Sequence, residues 1–351
     1  MIALLFPIGY NEPLQTKNTD GGNNDASSQT SSRDRAASYR QLCAIAILSW
    51  AGLAHATDVV VPGTTDFPES MHASADGTLY FSSFGNGRIW RAKPGETQAS
   101  EFIKSGSNGL ASALGVLADD KSNTLYVCSD DFSAAGIKIP GATATSLKLF
   151  DLKTGEPKGS IPTPGQATLC NDIVVANDGT AYITDSFAGH ILRLKPGAKE
   201  FEVWAHDPRW DVADKPELDG LAILPDGAIY ANIFEGDGLY RIPINADGSA
   251  GTITKLQTSR PLYHSDGLRA FGNKLIMVEG ETKGNLDLIT IDGDNAKIDT
   301  IKAGFDGPVS LVQVGNTIYV LDVPLRYLLG QEAKDKKAPP PFAAFAVKAP
   351  Q

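Results

Sequence analysis

A short β-forming block recurs six times along the chain and limits what it can fold into. Five of the six copies carry tyrosine at the fourth position, and successive copies start 43 to 56 residues apart. The copies occupy residues 77–83, 123–129, 179–185, 227–233, 273–279 and 316–322. A repeat of about 40–50 residues built from short strands is typical of a β-propeller, with one repeat per blade. The sequence therefore predicts an all-β, six-bladed propeller.

The segments around each block predict how a blade is built. A short apolar strand precedes each copy and another follows it, and Asp-Gly pairs mark tight turns, as at 76–77, 178–179 and 226–227. We expect four-stranded antiparallel blades around a central channel. A late strand at 341–348 and an N-terminal strand at 58–62 are expected to complete the sixth blade and close the ring.

The N-terminal region differs from the rest of the chain. Residues 11–37 contain almost no apolar side chains, and we expect the extension 1–37 to be disordered and to lie upstream of the natural start. Residues 38–56 have a basic flank, an apolar run at 42–54 and small residues before Ala56, which is typical of a cleaved signal peptide. An uncleaved membrane anchor is the alternative. We predict a periplasmic or secreted propeller over 57–351, without stable membrane insertion after cleavage.

Composition and cysteine content constrain the partners and the compartment. The net charge of −10 argues against binding to a nucleic-acid backbone. We expect a small-molecule substrate and a monomeric protein. Cleavage after Ala56 would leave two cysteines, Cys128 and Cys170. Two thiols in an oxidising compartment can pair, but the sequence does not give their separation. We interpret them as two separate buried thiols.

The first strand of every blade lines the channel of a propeller, and aligning the blades places six residues at one level. These are Glu69, Gly115, Asn171, Asp219, Asp266 and Asp306. Carboxylates that converge on a narrow axis repel one another unless a cation lies among them. Oxygen donors without clustered His or Cys favour Ca²⁺, with Mg²⁺, Mn²⁺ or Zn²⁺ as alternatives. Ordinary Asp-Gly turns at 219, 266 and 306 are the competing interpretation.

Four segments resemble the senescence marker protein, gluconolactonase and luciferin-regenerating enzyme family. They are 67–82, 170–176, 218–223 and 265–269, and the resemblance spans about 64–330. It implies a six-bladed propeller with one divalent metal in the channel. It also implies hydrolysis of a lactone or related ester.

The resemblance assigns roles position by position. Glu69, Asn171, Asp219 and Asp266 match the metal ligands, and Asp266 also matches the proton acceptor. Asp219 stands where the family usually has asparagine, and the added charge is expected to tighten cation binding. Leu169 stands where the sugar-lactone enzymes have arginine, which argues for a less polar substrate.

Further candidates line the expected substrate pocket. Gly115 leaves room on one wall, Leu169 and Asp306 lie near the same level, and His264 could reach the mouth as a proton shuttle. A loop histidine without a role is the simpler interpretation of His264. We predict a Ca²⁺-dependent lactone or ester hydrolase with Asp266 as general base. The alternatives are a non-catalytic binding propeller and a phosphotriesterase that uses the same metal site.

Overall fold

The computed structural model describes residues 56–165, 168–211, 217–280 and 282–351. The predicted disordered extension and nearly all of the predicted signal peptide lie outside these residues. Within the described part of the chain, no helix has the length and apolar character needed to cross a membrane. The only α-helix among these residues is α1 (Gln331–Lys334), and four single turns of 3₁₀ helix lie in loops. Those turns are Ser107–Gly109, Ser133–Ala135, Pro208–Trp210 and Leu325–Tyr327.

Strands make up the six blades. Strand β1 Val59–Val61 belongs to blade 6. In blades 1 to 3 the strands are β2 Met71–Ala73, β3 Leu79–Ser82, β4 Ile89–Ala92, β5 Ser100–Ile103, β6 Ser112–Asp119, β7 Thr124–Asp130, β8 Ser146–Asp151, β9 Pro157–Pro162, β10 Cys170–Val175, β11 Ala181–Asp185, β12 His190–Leu194 and β13 Glu202–His206. In blades 4 to 6 they are β14 Leu218–Ile223, β15 Ala228–Ile233, β16 Leu239–Pro243, β17 Thr254–Lys255, β18 Gln257–Thr258, β19 Ser265–Phe271, β20 Lys274–Glu279, β21 Gly284–Asp292, β22 Asn295–Phe305, β23 Pro308–Val314, β24 Thr317–Asp322 and β25 Phe342–Lys348.

The predicted six-bladed propeller is confirmed. The inner strands β2, β6, β10, β14, β19 and β23 each contact the next one around a closed ring. Successive strands within a blade pair antiparallel, and five blades have four strands. Blade 5 departs from the prediction because the short strand β18 joins it as a fifth strand, parallel to β22.

The ring closes through the N-terminal strand, as expected. Strand β1 pairs antiparallel with β25, which aligns Val59 with Ala344 and Val61 with Phe342. Blade 6 therefore contains strands from both ends of the described chain. This closure covers a sheet edge that would otherwise be left unpaired.

The Asp-Gly pairs form the predicted tight turns inside the blades. In blade 3, Gly179 has φ 88°, which a residue with a side chain rarely adopts. The Asp178 carboxylate accepts a hydrogen bond from the Thr180 amide at 2.9 Å. The equivalent turns of blades 1 and 4 have the same bond at 2.9 Å. Local chemistry thus fixes the register between first and second strands.

The apolar core is divided among the spaces between neighbouring blades. One cluster joins blade 3 to blade 4 through Tyr182, Trp204 and Trp210, which pack with Leu221 and Tyr240. Similar clusters join blades 1 and 2, 4 and 5, and 5 and 6. Because apolar groups are buried between the sheets, the channel wall can carry polar side chains.

A disulfide bond joins Cys128 of β7 to Cys170 of β10, so the interpretation as separate thiols is wrong. The two Cα atoms are 5.1 Å apart, within the range that a disulfide requires. The bond covalently links the second strand of blade 2 to the inner strand of blade 3. Sequence could not reveal this because the proximity arises only when neighbouring blades pack.

Candidate active site in the channel

A cavity opens in the channel where the inner strands begin. It encloses about 190 Å³, counting its open mouth. Its lining residues are Glu69, Ser70, Gly115, Asn171, Asp172, Asp219, Asp266, Gly267, Arg269, Val309 and Ser310. Because this volume includes open solvent at the mouth, the enclosed part is small, with room for one ion or about one water molecule.

Irregular pairing in the inner strands brings polar side chains to the cavity. In β10, Cys170 pairs with Asp185 and Ile173 pairs with Ile183, so Asn171 and Asp172 face the single residue Thr184. Strands β14 and β19 have the same irregularity at Asp219–Gly220 and Asp266–Gly267. Such bulges turn side chains out of the regular alternation of a strand. The bulges therefore explain how three of the predicted ligands reach one cavity.

The pairing registers also correct the sequence alignment of the blades. The bulge of β6 lies between Ala113 and Val116, so Leu114 is the equivalent of Asn171 and Gly115 the equivalent of Asp172. In β23 the skipped residue is Val309, between Pro308 and Ser310. Two apolar residues, Leu114 and Val309, thus occupy the equivalent position in the two remaining blades. The other four blades carry Glu69, Asn171, Asp219 and Asp266 there. Gly115 still lines the cavity, one position further along the strand.

Gly115 is required by close packing rather than by room for a substrate. A β-carbon at this position would lie 2.0 Å from the backbone oxygen of Asn171. The backbones of β6 and β10 therefore approach each other directly behind the cavity wall.

Three predicted pocket residues lie away from the cavity lining. Asp306 is exposed, and its carboxylate accepts hydrogen bonds from Arg326 at 2.9 and 2.8 Å. Leu169 is buried, and its amide donates to Asp185. His264 is buried with φ 46°, and its ring stacks on a neighbouring aromatic ring on each side. The alignment was wrong about Asp306 because the chain enters β23 only two residues later.

The candidate ligands form a crowded acidic group. Burial raises the pKa of Glu69, Asp219 and Asp266, and nearby carboxylates raise it further; the pKa of Asp219 reaches about 8. Asn171 Nδ2 donates a hydrogen bond to Asp219 Oδ1 at 3.0 Å. The side-chain oxygen of Asn171 is therefore left to coordinate a cation. These pKa shifts reflect burial first and mutual repulsion of the carboxylates second.

The oxygen atoms of these side chains are the kind of ligand that a hard divalent cation prefers. Their present arrangement is not yet a coordination shell. Among the described residues, no three Asp, Glu, His or Cys side chains are grouped so that they could hold a metal ion. Glu69 Oε2 is buried without a hydrogen-bond partner, which is costly unless another ligand satisfies it. A cation would therefore have to draw the carboxyl groups together.

Two charged residues of the cavity were missed by sequence reasoning. Arg269 Nη1 lies 2.5 Å from Asp172 Oδ2, and both side chains are largely buried. The same Asp172 oxygen accepts the Leu221 amide of the next blade at 2.8 Å. An arginine within the inner strand β19 was the available signal. This guanidinium supplies a built-in positive charge beside the acidic group.

Replacing Arg269 with methionine is expected to lower the free energy of unfolding by about 3–5 kcal/mol, because Asp172 would stay buried without its partner. Chemical denaturation of the metal-free protein measures the change. Adding Asp172→Asn to the same variant should restore much of the loss, since the amide oxygen still accepts from Leu221. Wild-type stability in the single variant would contradict the proposed importance of this ion pair.

Comparison with known proteins supports the fold and leaves the chemistry open. No family model and no curated protein matches the sequence. A luciferin-regenerating enzyme is 14% identical with a TM-score of 0.59, over 82% of this chain and 94% of its own. A gluconolactonase from Xanthomonas campestris is 15% identical with a TM-score of 0.56, over 81% and 87%.

A different chemistry occurs on the same architecture. The PQQ-bound aldose sugar dehydrogenase from Streptomyces coelicolor is 15% identical with a TM-score of 0.54, over 83% of this chain and 97% of its own. Fold likeness at this level of identity does not select a reaction. The resemblance expected from the sequence is confirmed for the architecture: the chain is a six-bladed β-propeller with the fold of gluconolactonase and luciferin-regenerating enzyme.

Proposed function

We propose that the protein is a divalent-cation-dependent hydrolase of a lactone or related ester. The observation that carries the proposal is the convergence of Glu69, Asn171, Asp219 and Asp266 on one small cavity. The four residues come from four blades, and oxygen is the only donor type they offer to a metal. Such a set favours Ca²⁺, with Mg²⁺, Mn²⁺ or Zn²⁺ as alternatives.

The residues of the cavity would have two roles, cation binding and proton transfer. Glu69, Asn171 and Asp219 would hold the cation, which when bound polarises the ester carbonyl. Asp266 would accept the proton as the oxygen of a water molecule attacks the carbonyl carbon. It would return that proton to the leaving oxygen as the ester C–O bond breaks. The pKa of Asp266 is raised by burial and by the neighbouring carboxylates, and this is the direction that strengthens a carboxylate as a general base.

The compartment and the wall of the cavity add to the proposal. The Cys128–Cys170 disulfide supports a periplasmic or secreted location, because such bonds persist in oxidising compartments. Val309, and the small size of the space, favour a compact substrate with an apolar part near the reacting ester.

A non-catalytic binding propeller is the second candidate, and Arg269 favours it. The guanidinium already offsets part of the negative charge, so the cavity could be stable without a reaction to perform. On this alternative, a cation would only strengthen the ring.

Removal and return of metal separates the two functions. The chelated full-length protein is titrated with Ca²⁺, Mg²⁺, Mn²⁺ and Zn²⁺ and assayed on lactones, aryl esters and phosphotriesters. Turnover of a lactone or ester that appears only with a cation supports the proposal. A rise in melting temperature with cation but no turnover would favour the binding protein. Turnover restricted to phosphotriesters would overturn the substrate class and keep the metal site.

A further inference from the structure

The second strands of blades 2, 3 and 4 carry a polar or sulfur-bearing residue at one equivalent position. The residues are Cys128, Thr184 and Asn232, and each lies opposite the bulge of its own inner strand. All three are fully buried. We propose that they are positioning residues, each of which fixes the candidate cation ligand of the next blade. This inference rests on the proposed cation site.

Each of the three links crosses to the neighbouring blade. Thr184 Oγ1 donates to the backbone oxygen of Asp219 at 2.8 Å. Asn232 Nδ2 donates to the backbone oxygen of Asp266 at 2.7 Å. Cys128 is bonded to Cys170, the residue directly before Asn171. One position of the repeat therefore holds three candidate ligands by three different chemical links.

Thr184 also ties the two bulges together. Its hydroxyl accepts the Asp172 amide of its own blade at 2.8 Å while it donates to Asp219. The backbones that carry Asn171 and Asp219 are thus fixed to a common oxygen atom. This agrees with the direct contact between the two side chains at 3.0 Å.

The other three blades make the pattern informative. Their equivalent residues are Ser82, Val278 and Leu321. The Ser82 hydroxyl bonds only to Ser70 of its own blade, and the next blade presents Leu114. Val278 lies in blade 5, and the next blade presents Val309. The blades that follow Ser82 and Val278 therefore present apolar residues and no candidate ligand.

Glu69 is the exception among the candidate ligands. The blade before it has Leu321 at the equivalent position, which has no polar group to offer. Its blade is held instead by Ser310 Oγ, which accepts the Met71 amide at 3.2 Å. We therefore expect links from the second strands to affect Asn171, Asp219 and Asp266, and not Glu69.

A link to the backbone of a ligand residue matters because it limits the positions that the side chain can take. Several side chains must reach the same ion, so each of them has to be held in place. Residues that orient metal ligands without touching the metal typically change affinity about 10- to 100-fold when removed. Here a loosened Asp219 or Asp266 would have to be ordered again each time a cation binds. The expected signature is weaker cation binding beyond any loss of stability.

Thr184→Val tests the inference in the full-length protein, with Ca²⁺ as the probe in calorimetric titration. We expect the dissociation constant to rise about 10-fold or more. Thr180→Val is the matched control, since Thr180 is also buried, just before the same strand, and its hydroxyl bonds only to Asp178. The control should bind Ca²⁺ as the wild type does. Thr184→Ser keeps the hydroxyl and should also retain wild-type affinity.

The possible results separate the inference from the proposed function. If the wild type binds no divalent cation, both fail. If the wild type binds Ca²⁺ and Thr184→Val binds equally well after losing stability, Thr184 is only structural and the inference is overturned. Asn232→Leu gives an independent second result should Thr184→Val not fold, because it breaks the link to Asp266 alone. Unchanged Ca²⁺ affinity in Asn232→Leu would contradict the inference in the same way.

Discussion

Turnover is expected to fall about 10²- to 10⁴-fold when Asp266 is replaced with asparagine, the usual contribution of a positioned general base. The amide keeps an oxygen that can face the cation but can no longer accept the proton of the attacking water. The Ca²⁺ affinity should therefore change less than kcat does. Steady-state kinetics on the lactone or ester found in the assay, with Ca²⁺ titration of the same sample, measures both quantities.

Asp306→Asn is the matched control for this variant. Sequence alignment placed both carboxylates at one level, whereas Asp306 is exposed and bonded to Arg326. An exposed ion pair contributes about 0–1 kcal/mol, so the control should retain wild-type stability and turnover. Equal kcat values in Asp266→Asn and the wild type would exclude Asp266 as the base. Loss of turnover in Asp306→Asn would show that the channel assignment itself is wrong.

Removing the disulfide is expected to lower the free energy of unfolding by about 4 kcal/mol. The bond closes a loop with a sequence separation of 42 residues, and a loop of that length loses about this much chain entropy when crosslinked in the unfolded state. The double variant Cys128→Ala, Cys170→Ala should therefore unfold at a lower denaturant concentration, which equilibrium unfolding followed by fluorescence measures.

A reductant supplies the control for the disulfide. Both cysteines are fully buried, so a thiol reagent should act only on the unfolded chain. Unfolding of the wild type in reductant should then approach that of the double variant, which itself should not respond. Identical midpoints for the oxidised wild type and the double variant would contradict a stabilising role.

The blades could be predicted because their signals are local. An alternating strand, an Asp-Gly turn and a Tyr at a fixed position each act over a few residues, and their recurrence gave the blade number. The closing strands at both ends followed from the need to cover a sheet edge. The added strand β18 could not be predicted, since it pairs parallel with β22, which lies about 40 residues further along the chain.

The candidate site was predicted only in part because strand bulges decide which side chain faces the channel. Glu69, Asn171, Asp219 and Asp266 do line one cavity, but a shift of one residue misplaced Gly115. The same irregularity hid Asp172, which lies next to a predicted ligand. The role of Arg269 could not be predicted either, because it depends on an ion pair with Asp172, which lies in another blade.

The sequence alone determined the repeat, the turn chemistry and the acidic character of the channel, because each of these depends on residues close together in the chain. The tertiary structure alone decided the pairing of Cys128 with Cys170, the ion pair between Arg269 and Asp172, and the links from Thr184 and Asn232 to the next blade. These contacts join residues from about 35 to 100 positions apart. They exist only once neighbouring blades have packed, so no local pattern could reveal them.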